Sequence, residues 1–323
     1  MASPTFIAPE LRRPHTRTFY QRLRGGDEVT YLITFACAVS ILLIVALLVA
    51  ELWMNSQLTV KKFGFSFLTS SQWNPNTGQF GALPFIYGTC VTSALALIVA
   101  VPFGVFSSIF LAEMAPPRLS NWLTFLIELL AAVPSVIYGL LGIFILVPLI
   151  REYLAPFLTA TFGFLPIFSG AFYGVSFLSA GLVLAIMVIP FIVSVSREVL
   201  LAVPIEQREA ALALGATKWE TTWQIVLPNA STGIIGSVFL ALARALGETM
   251  AVTMVVGNTP TISASLFSPG YSIAAVIANE FSEASGDLYV SSLIFLGLVL
   301  FGLTIIINAV ARVLILLTTQ RKA

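Results

Sequence analysis

Two oppositely charged side chains lie inside an otherwise apolar stretch of this 323-residue sequence. Arg244 and Glu248 are four residues apart, which predicts that they share one helical face and pair there. An ionisable residue within a membrane span costs roughly 2.5–3.5 kcal/mol on insertion scales, so each one is by default a functional hypothesis. The guanidinium group stays charged and gives two parallel hydrogen bonds, which suits a tetrahedral oxyanion. We therefore expect Arg244 to contact an anion, with Glu248 holding it when the anion is absent. The alternative is a neutral buried pair that only fixes helix packing.

Four further polar residues complete the candidate translocation site. A rise of about 1.5 Å per residue puts Glu128 about 10 Å into a span that begins near residue 121. On the same count Ser135, and Tyr138 one turn later, reach roughly the level of Arg244. Thr249 follows Glu248 directly. For Glu128 a bond to a neighbouring helix end is an equal alternative to a role in transport.

The residues that usually perform catalysis do not occur in a usable pattern. The single histidine, His15, lies in a polar N-terminal arm without a neighbouring carboxylate or cysteine. Cys37 and Cys90 lie in apolar runs, which predicts small core residues and neither a disulfide nor a metal site. There is no Gly-rich loop ending in Lys-Ser/Thr for binding a nucleotide. We expect no catalytic site, no metal and no cofactor in this chain.

A polar segment, residues 204–228, interrupts the apolar pattern between two long hydrophobic stretches. Pro204 ends the preceding helix, and the Ala- and Glu-rich run after it favours a new helix. Gly215 supplies a break at which a second short helix turns away, and Pro228 is expected to start the next span, capped by Asn229 or Ser231. The segment predicts a short helical hairpin outside the bilayer.

The composition predicts that these residues are carried by membrane-spanning helices. Hydrophobic residues make up 58% of the chain and charged residues 10%, against about 25% charged in soluble proteins. The net charge of +1 does not indicate a nucleic-acid partner. We expect an all-α integral membrane fold surrounded by lipid. The predicted spans are about 29–54, 87–112, 121–149, 177–200, 230–256 and 288–316.

The distribution of Lys and Arg predicts the orientation of these spans, because basic residues are retained on the cytoplasmic side. With both termini in the cytoplasm, the outer segments hold only Lys61, Lys62 and Arg151. The outer loops are then expected at about 55–86, 150–176 and 257–287.

The chain divides into a basic cytoplasmic arm, one membrane domain and a short cytoplasmic tail. The loop at 204–228 belongs to the membrane domain and lies on its cytoplasmic side. The predicted limits are 1–28, 29–318 and 319–323.

The loop at 204–228 resembles the EAA motif of ABC importer permeases at every defining position: Glu209-Ala210-Ala211, then Gly215, Ile225 and Leu227-Pro228. In that family the loop is a coupling helix that docks in a groove of the cytoplasmic ATPase. Small alanines allow close seating, and charged residues can register the contact. The expected coupling residues are Arg208, Glu209, Ala210, Ala211, Gly215, Lys218, Leu227 and Pro228.

Three further stretches, residues 81–89, 128–139 and 243–252, resemble the phosphate-specific, PstC-type branch of these permeases. The resemblance implies six helices of the type I importer architecture in the bacterial inner membrane. It also implies a second permease subunit of the PstA type, a pair of PstB-type ATPase subunits and an extracytoplasmic phosphate-binding protein. In that branch the residues corresponding to Arg244 and Glu248 are associated with the passage of phosphate. The expected function is phosphate import driven by ATP hydrolysis on the partner.

Several other functions are compatible with the same residues. A permease for molybdate or sulfate shares the coupling loop, and the sister permease subunit is similar in sequence. A self-sufficient secondary transporter or channel belongs to a different class, and it typically shows paired repeats with broken helices in place of an EAA loop.

Overall fold

The regular structure of the chain is helical throughout the part that the computed structural model describes, which is the backbone of residues 27–320 and the side chains of residues 29–313. The predicted arm 1–28 and tail 319–323 lie almost entirely outside this part. Four π-helical turns join neighbouring α-helices at Phe110–Met114, Gly142–Leu146, Ile150–Leu154 and Thr222–Val226. The α-helices are α1 Asp27–Asn55, α2 Gln57–Phe63, α3 Ser66–Thr69, α4 Leu83–Ile109, α5 Pro117–Ala131, α6 Ser135–Leu141, α7 Val147–Leu149, α8 Ala155–Phe162, α9 Phe177–Leu201, α10 Ile205–Ala213, α11 Lys218–Thr221, α12 Leu227–Leu246, α13 Met250–Val256, α14 Ile273–Glu280 and α15 Asp287–Gln320.

Six helical stretches are long and apolar enough to cross a membrane, which confirms the predicted number. The first of them lies in helix α1, whose described residues up to Glu51 belong to one compact unit; a second unit begins at Leu52. The six stretches are Val29–Asn55, Leu83–Met114, Ser135–Phe162, Phe177–Leu201, Lys218–Leu246 and Asp287–Val313.

The third and fifth spans differ from their predicted limits. The stretch predicted at 121–149 is divided, because α5 ends at Ala131 and the span-length stretch begins at Ser135 and runs to Phe162. The stretch predicted at 230–256 is also divided, because α12 ends at Leu246 and α13 begins at Met250. Each of the two stretches is long and apolar enough on average for one span, so the predicted spans ran through both breaks.

Helix α9 forms the centre of the unit that begins at Leu52. Two thirds of its apolar window (67%) is buried, whereas the buried share is 33% or less in each of the other five spans. On one side it meets α4, where a Cβ on Gly104 would lie 2.7 Å from Ile192 Cγ2. On another side it meets α12, where the Ser196 and Ser237 hydroxyl oxygens are 2.8 Å apart. Small residues thus allow close helix packing around α9.

The segments predicted as outer loops at 55–86 and 257–287 are largely folded. Helices α2, α3 and α14 lie within them. Phe67, Phe80 and Phe85 are buried in one aromatic cluster. The Glu280 carboxylate of the second segment joins it to the first, because it accepts a hydrogen bond from Trp73 Nε1 (2.8 Å). It also accepts one from the hydroxyl group of Tyr289 (2.6 Å). These bonds give the two segments a fixed framework.

Candidate functional site

The first element of the candidate site is the break between α5 and α6 at residues 132–134. Pro134 has no N–H to donate and disfavours helical geometry at Val133, so the chain leaves the helix there. The helix resumes when Ile137 N donates to the Pro134 carbonyl oxygen (3.0 Å). Across the break, the buried Tyr138 hydroxyl donates to the Leu130 carbonyl oxygen (2.7 Å). This hydrogen bond gives the Leu130 carbonyl oxygen, near the end of α5, a donor on α6, and it holds the two helices together.

The second element is the break between α12 and α13 at residues 247–249. Gly247 has low helix propensity, and α12 ends immediately before it. The Glu248 carboxylate accepts a hydrogen bond from Ala251 N in the first turn of α13 (3.2 Å). An N–H group at a helix start has no partner within the helix, so this carboxylate satisfies one of the free donors and favours the positive end of the helix.

Helices α6 and α13 pack in parallel, and the start of α6 lies level with the break before α13. A Cβ on Gly139 would lie 3.3 Å from Ala251 Cα, and a Cβ on Gly142 would lie 2.9 Å from Val255 Cγ1. The residue numbers of the two helices therefore increase in the same direction along the contact. Ser135 is four residues before Gly139, and it lies level with the break that precedes Met250. The two breaks consequently adjoin each other.

Arg244 lies in the last turn of α12, beside the second break. Its side chain is exposed, and it makes no hydrogen bond or ion pair with the side chains described between residues 29 and 313. Tyr138 lies beside the first break, on the helix α6 that packs against α13. The guanidinium group of Arg244 is therefore open to a ligand beside the second break.

The predicted ion pair between Arg244 and Glu248 is absent from the described part of the chain. The two residues do not share a helical face, because α12 ends between them at Leu246. Glu248 instead serves the first turn of α13, and Thr249 Oγ1 donates to the Gly247 carbonyl oxygen (3.4 Å) within the break. The prediction failed because the spacing of four residues has its meaning only in an uninterrupted helix.

The remaining two candidate residues lie at and before the first break. Ser135 is half-buried and begins α6. Glu128 is exposed in the last turn of α5, and its backbone carbonyl oxygen accepts from Ala132 N (3.2 Å). Its carboxylate has no hydrogen-bond or ion-pair partner within residues 29–313. The structure thus brings Ser135, Tyr138 and the residues of the second break together, and it places Glu128 one turn away.

This arrangement is suited to an oxyanion. An unpaired guanidinium group lies beside two helix starts, whose backbone N–H groups and partial positive charge favour anions. Broken helices with half-helix starts at one depth are a known way to build substrate sites inside membranes. A metal site is not indicated, since no group of three or more His, Cys, Asp or Glu side chains comes together in the described ranges.

The loop at 204–228 forms the short helical hairpin that the sequence predicts. Helix α10 ends in a Schellman motif, in which Gly215 N donates to the Leu212 carbonyl oxygen (3.0 Å) and Ala216 N to that of Ala211 (3.1 Å). Gly215 has a φ of +92°, a conformation that L side chains rarely adopt. A capping box then starts α11, because Glu220 N donates to Thr217 Oγ1 (3.2 Å) and Thr217 N to Glu220 Oε2 (2.8 Å).

The sequence predicted that Pro228 starts the fifth span, but the structure shows an earlier start. The helical stretch begins at Lys218 and continues through the π turn Thr222–Val226 into α12, so Leu227 and Pro228 lie within it. Asn229 does not cap a helix either; its side-chain nitrogen donates to Gln207 Oε1 (2.8 Å) and to the Ile225 carbonyl oxygen (2.9 Å). The capping box of Thr217 and Glu220 caps the stretch instead, and the stretch begins at Lys218, ten residues before Pro228.

The outer surface of the hairpin combines exposed apolar and small residues. Leu214 is 90% exposed, and Trp219 is 54% exposed. Glu209, Ala210 and Lys218 are also exposed. A groove of about 480 Å³ lies between α10 and the segment after it, and its lining includes Ala210, Ala211 and Leu214. Large apolar side chains exposed next to charged ones are typical of a protein–protein contact.

Arg208 bonds to residues at the ends of two spans. The predicted role was different, because it had Arg208 contact the ATPase. Its Nη2 donates to Glu113 Oε1 (3.0 Å) and to the Leu200 carbonyl oxygen (2.7 Å), and its Nη1 donates to the Val203 carbonyl oxygen. The Arg208 and Glu113 side chains are only 17% and 12% exposed. The guanidinium group therefore faces inward, away from the outer surface of the hairpin.

The turn after α4 and the start of α5 hold two polar residues that were not predicted from the sequence. Glu113 lies in the π turn Phe110–Met114, and Ser120 receives a hydrogen bond from Arg197 Nη2 (3.2 Å). Ser120 in turn donates to the Leu111 carbonyl oxygen (2.8 Å). The only sequence signal at this turn was the pair of prolines before Arg118, which indicates a loop and no specific contact.

Six spans, a pair of adjoining helix breaks with a free arginine, and an exposed helical hairpin define a multi-pass membrane transport subunit. The family model for the inner membrane component of binding-protein-dependent transport systems matches residues 100–316. The chain belongs to this family, whose members lie in the inner membrane.

Named relatives cover most of the chain. It is 46% identical over 300 residues to the phosphate transport system permease protein PstC of Mesorhizobium japonicum, with 92% of each chain covered. It is 49% identical over 283 residues to PstC of Pasteurella multocida, covering 86% of this chain and 88% of that one. These relatives are permease components of transport systems.

The fold is also found among solved structures. A bacterial ABC transporter involved in the import of the acidic polysaccharide alginate aligns over 90% of this chain and 98% of its own, with a TM-score of 0.57 and 16% sequence identity. At that identity the similarity concerns the fold alone. It confirms the predicted all-α importer permease architecture.

Proposed function

We propose that this chain is a permease subunit of an ATP-driven importer that passes inorganic phosphate into the cytoplasm. Its similarity to PstC proteins over most of both chains supports phosphate as the substrate. The observation that carries the proposal is the free guanidinium group of Arg244 beside the adjoining breaks before Ser135 and Met250. A phosphate oxyanion fits this combination of a fixed charge and backbone donors.

Arg244 is the residue that binds phosphate during its passage. Because Glu248 caps α13 and does not pair with Arg244, the guanidinium group needs no rearrangement before it accepts the anion. The negative charge of Glu248 lies in the same break, where it weakens the binding of phosphate and so favours its release. Ser135 supplies a hydroxyl donor near the same position. Tyr138 and Thr249 line it, while their own hydroxyl groups donate to the Leu130 and Gly247 carbonyl oxygens. Glu128 lies one turn toward the start of α5.

Transport is driven from outside the chain, since the sequence contains no nucleotide-binding loop. The hairpin at 204–228 docks on a pair of ABC ATPase subunits through Glu209, Ala210, Ala211, Gly215 and Lys218. Leu227 and Pro228 join the hairpin to the fifth span. A second permease subunit completes the pore, and an extracytoplasmic binding protein delivers phosphate. Both termini lie in the cytoplasm.

The test is uptake by the complete transporter in proteoliposomes. We expect ATP-dependent accumulation of labelled phosphate that excess sulfate or molybdate does not suppress. Suppression by either anion at equal concentration would assign the chain to another oxyanion. Matched proteoliposomes that contain this chain alone are the control, and we expect no uptake in them. Phosphate uptake by the chain alone would show a self-sufficient transporter or channel.

A further inference from the structure

An ion pair attaches the hairpin to a span that is distant from it in sequence. Arg208 of α10 and Glu113, in the turn that ends α4, are 3.0 Å apart and largely buried. The same guanidinium group donates to the Leu200 and Val203 carbonyl oxygens, which lie at the end of α9. One side chain of the hairpin thus bonds to the ends of two different spans.

These bonds account for much of the attachment of α10. None of the residues Ile205–Ala213 is buried, so apolar packing holds this helix only weakly. Its other side-chain link is Gln207, whose Oε1 accepts from Asn229 Nδ2 of α12 (2.8 Å). Neighbouring residues of one short helix therefore bond to the ends of α4, α9 and α12.

We propose that Arg208 and Glu113 are positioning residues that transmit movement of the hairpin to α4 and α5 and so couple ATP hydrolysis to the opening of the anion site. This inference rests on the proposed function. A buried ion pair resists separation because each charge would be left unpaired in a medium of low dielectric constant. Displacement of α10 therefore displaces Glu113 with it.

The chain connects Glu113 directly to the anion site. The turn that contains Glu113 leads into α5, and Ser120 near the start of α5 donates to the Leu111 carbonyl oxygen, which fixes α5 to the same turn. Helix α5 ends at the first break, where the Tyr138 hydroxyl donates to the Leu130 carbonyl oxygen. Displacement of the turn thus reaches the residues that surround Arg244.

The test measures phosphate transported per ATP hydrolysed by the complete transporter in proteoliposomes. Glu113→Ala removes the bond to α4 and leaves Arg208 its two carbonyl acceptors on α9, so the hairpin stays anchored. We expect the ATPase rate to remain and the ratio of phosphate to ATP to fall at least about fivefold, the lower end of coupling between distant sites. Glu113→Asp keeps the charge, and we expect it to restore most of the ratio.

Arg118→Ala is the matched control, because Arg118 lies in the first turn of α5, close to Glu113 in the chain, and is exposed. We expect its ratio of phosphate to ATP to equal that of the unmodified protein. An unchanged ratio in an assembled Glu113→Ala transporter would overturn the inference, and so would an equal loss of hydrolysis and transport. If Glu113→Ala fails to assemble, Glu113→Gln is measured in its place. Failure of both to assemble would assign the pair to folding and also overturn the inference. Absence of phosphate uptake by the unmodified transporter would instead refute the proposed function.

Discussion

Arg244 and Glu248 are four residues apart, but the helix that carries Arg244 ends between them and no ion pair joins the two in the described part of the chain. Glu248 caps the next helix, and Arg244 is left exposed. A charge that is already paired must lose its partner before it binds a substrate. A free guanidinium group has no such cost, so the break in the helix makes Arg244 available.

Replacement of Glu248 by Gln separates its two effects. The amide oxygen of Gln can still accept the hydrogen bond from Ala251 N, so α13 stays capped. Loss of the negative charge strengthens the binding of phosphate to the site and slows its release. We therefore expect both the KM and the maximal rate of phosphate uptake to fall, the pattern of a lost ground-state destabilisation. Steady-state uptake by the Glu248→Gln transporter measures both, and unchanged values would show that the charge has no role.

Replacement of Gly139 by Ala tests the contact between α6 and α13. The new Cβ would lie 2.6 Å from Met254 Sδ and 3.3 Å from Ala251 Cα, so the Met254 side chain must move and the backbone of α13 must shift by a few tenths of an ångström. Overpacking of this kind costs about 1–3 kcal/mol. We expect lower thermal stability and reduced phosphate uptake.

Gly236→Ala is the matched control for this contact, because nothing lies within 4 Å of a Cβ at Gly236 of α12. Helix propensity favours Ala at that position by roughly 0.8–1.0 kcal/mol. We expect the control to keep or gain stability. If Gly139→Ala behaved like Gly236→Ala, the two breaks would not depend on close packing.

The sequence predicted the number of spans and the hairpin, because each depends on local composition or spacing. Apolar stretches of sufficient length define spans, and a glycine after an Ala-rich run marks a helix end. The prediction that Arg244 pairs with Glu248 was wrong because the helix ends at Leu246, before Gly247, and the spacing of four residues alone does not reveal that end.

Contacts between distant segments could not be predicted from the sequence. Arg208 and Glu113 are 95 residues apart, and neither position carries a local signal for the other. Pro134 lies at the first break, but only the packing of α6 against α13 brings that break beside the second one. The inward direction of Arg208 likewise depends on the position of the α9 carbonyl oxygens.

Replacement of Gly215 by Val tests the hairpin. Nothing lies within 4 Å of a Cβ at this position, so the effect is one of backbone conformation: a φ of +92° is strained for a β-branched residue. We expect the hairpin to distort, the ATPase subunits to co-purify less well, and less phosphate to be transported per ATP.

Gly215→Asn is the control for the hairpin, because Asn tolerates positive φ values better than other residues with side chains. We expect it to retain more of the ATPase subunits than Gly215→Val does. Equal co-purification and full transport in the Val variant would contradict the proposed docking of the hairpin.

The most direct measurement is ATP-dependent phosphate uptake by assembled transporters that carry Arg244→Ala or Arg244→Lys. Hydrogen bonds to a charged group contribute about 1.5–3 kcal/mol each, so loss of two such bonds lowers uptake at least about 100-fold in the Ala variant. Lys keeps the charge without the two-pronged geometry, and we expect it to retain partial uptake. Loss of even one such bond lowers uptake by far more than about twofold. Uptake by an assembled Arg244→Ala transporter that stays within about twofold of that of the unmodified protein would therefore contradict the assignment of Arg244 as the phosphate contact.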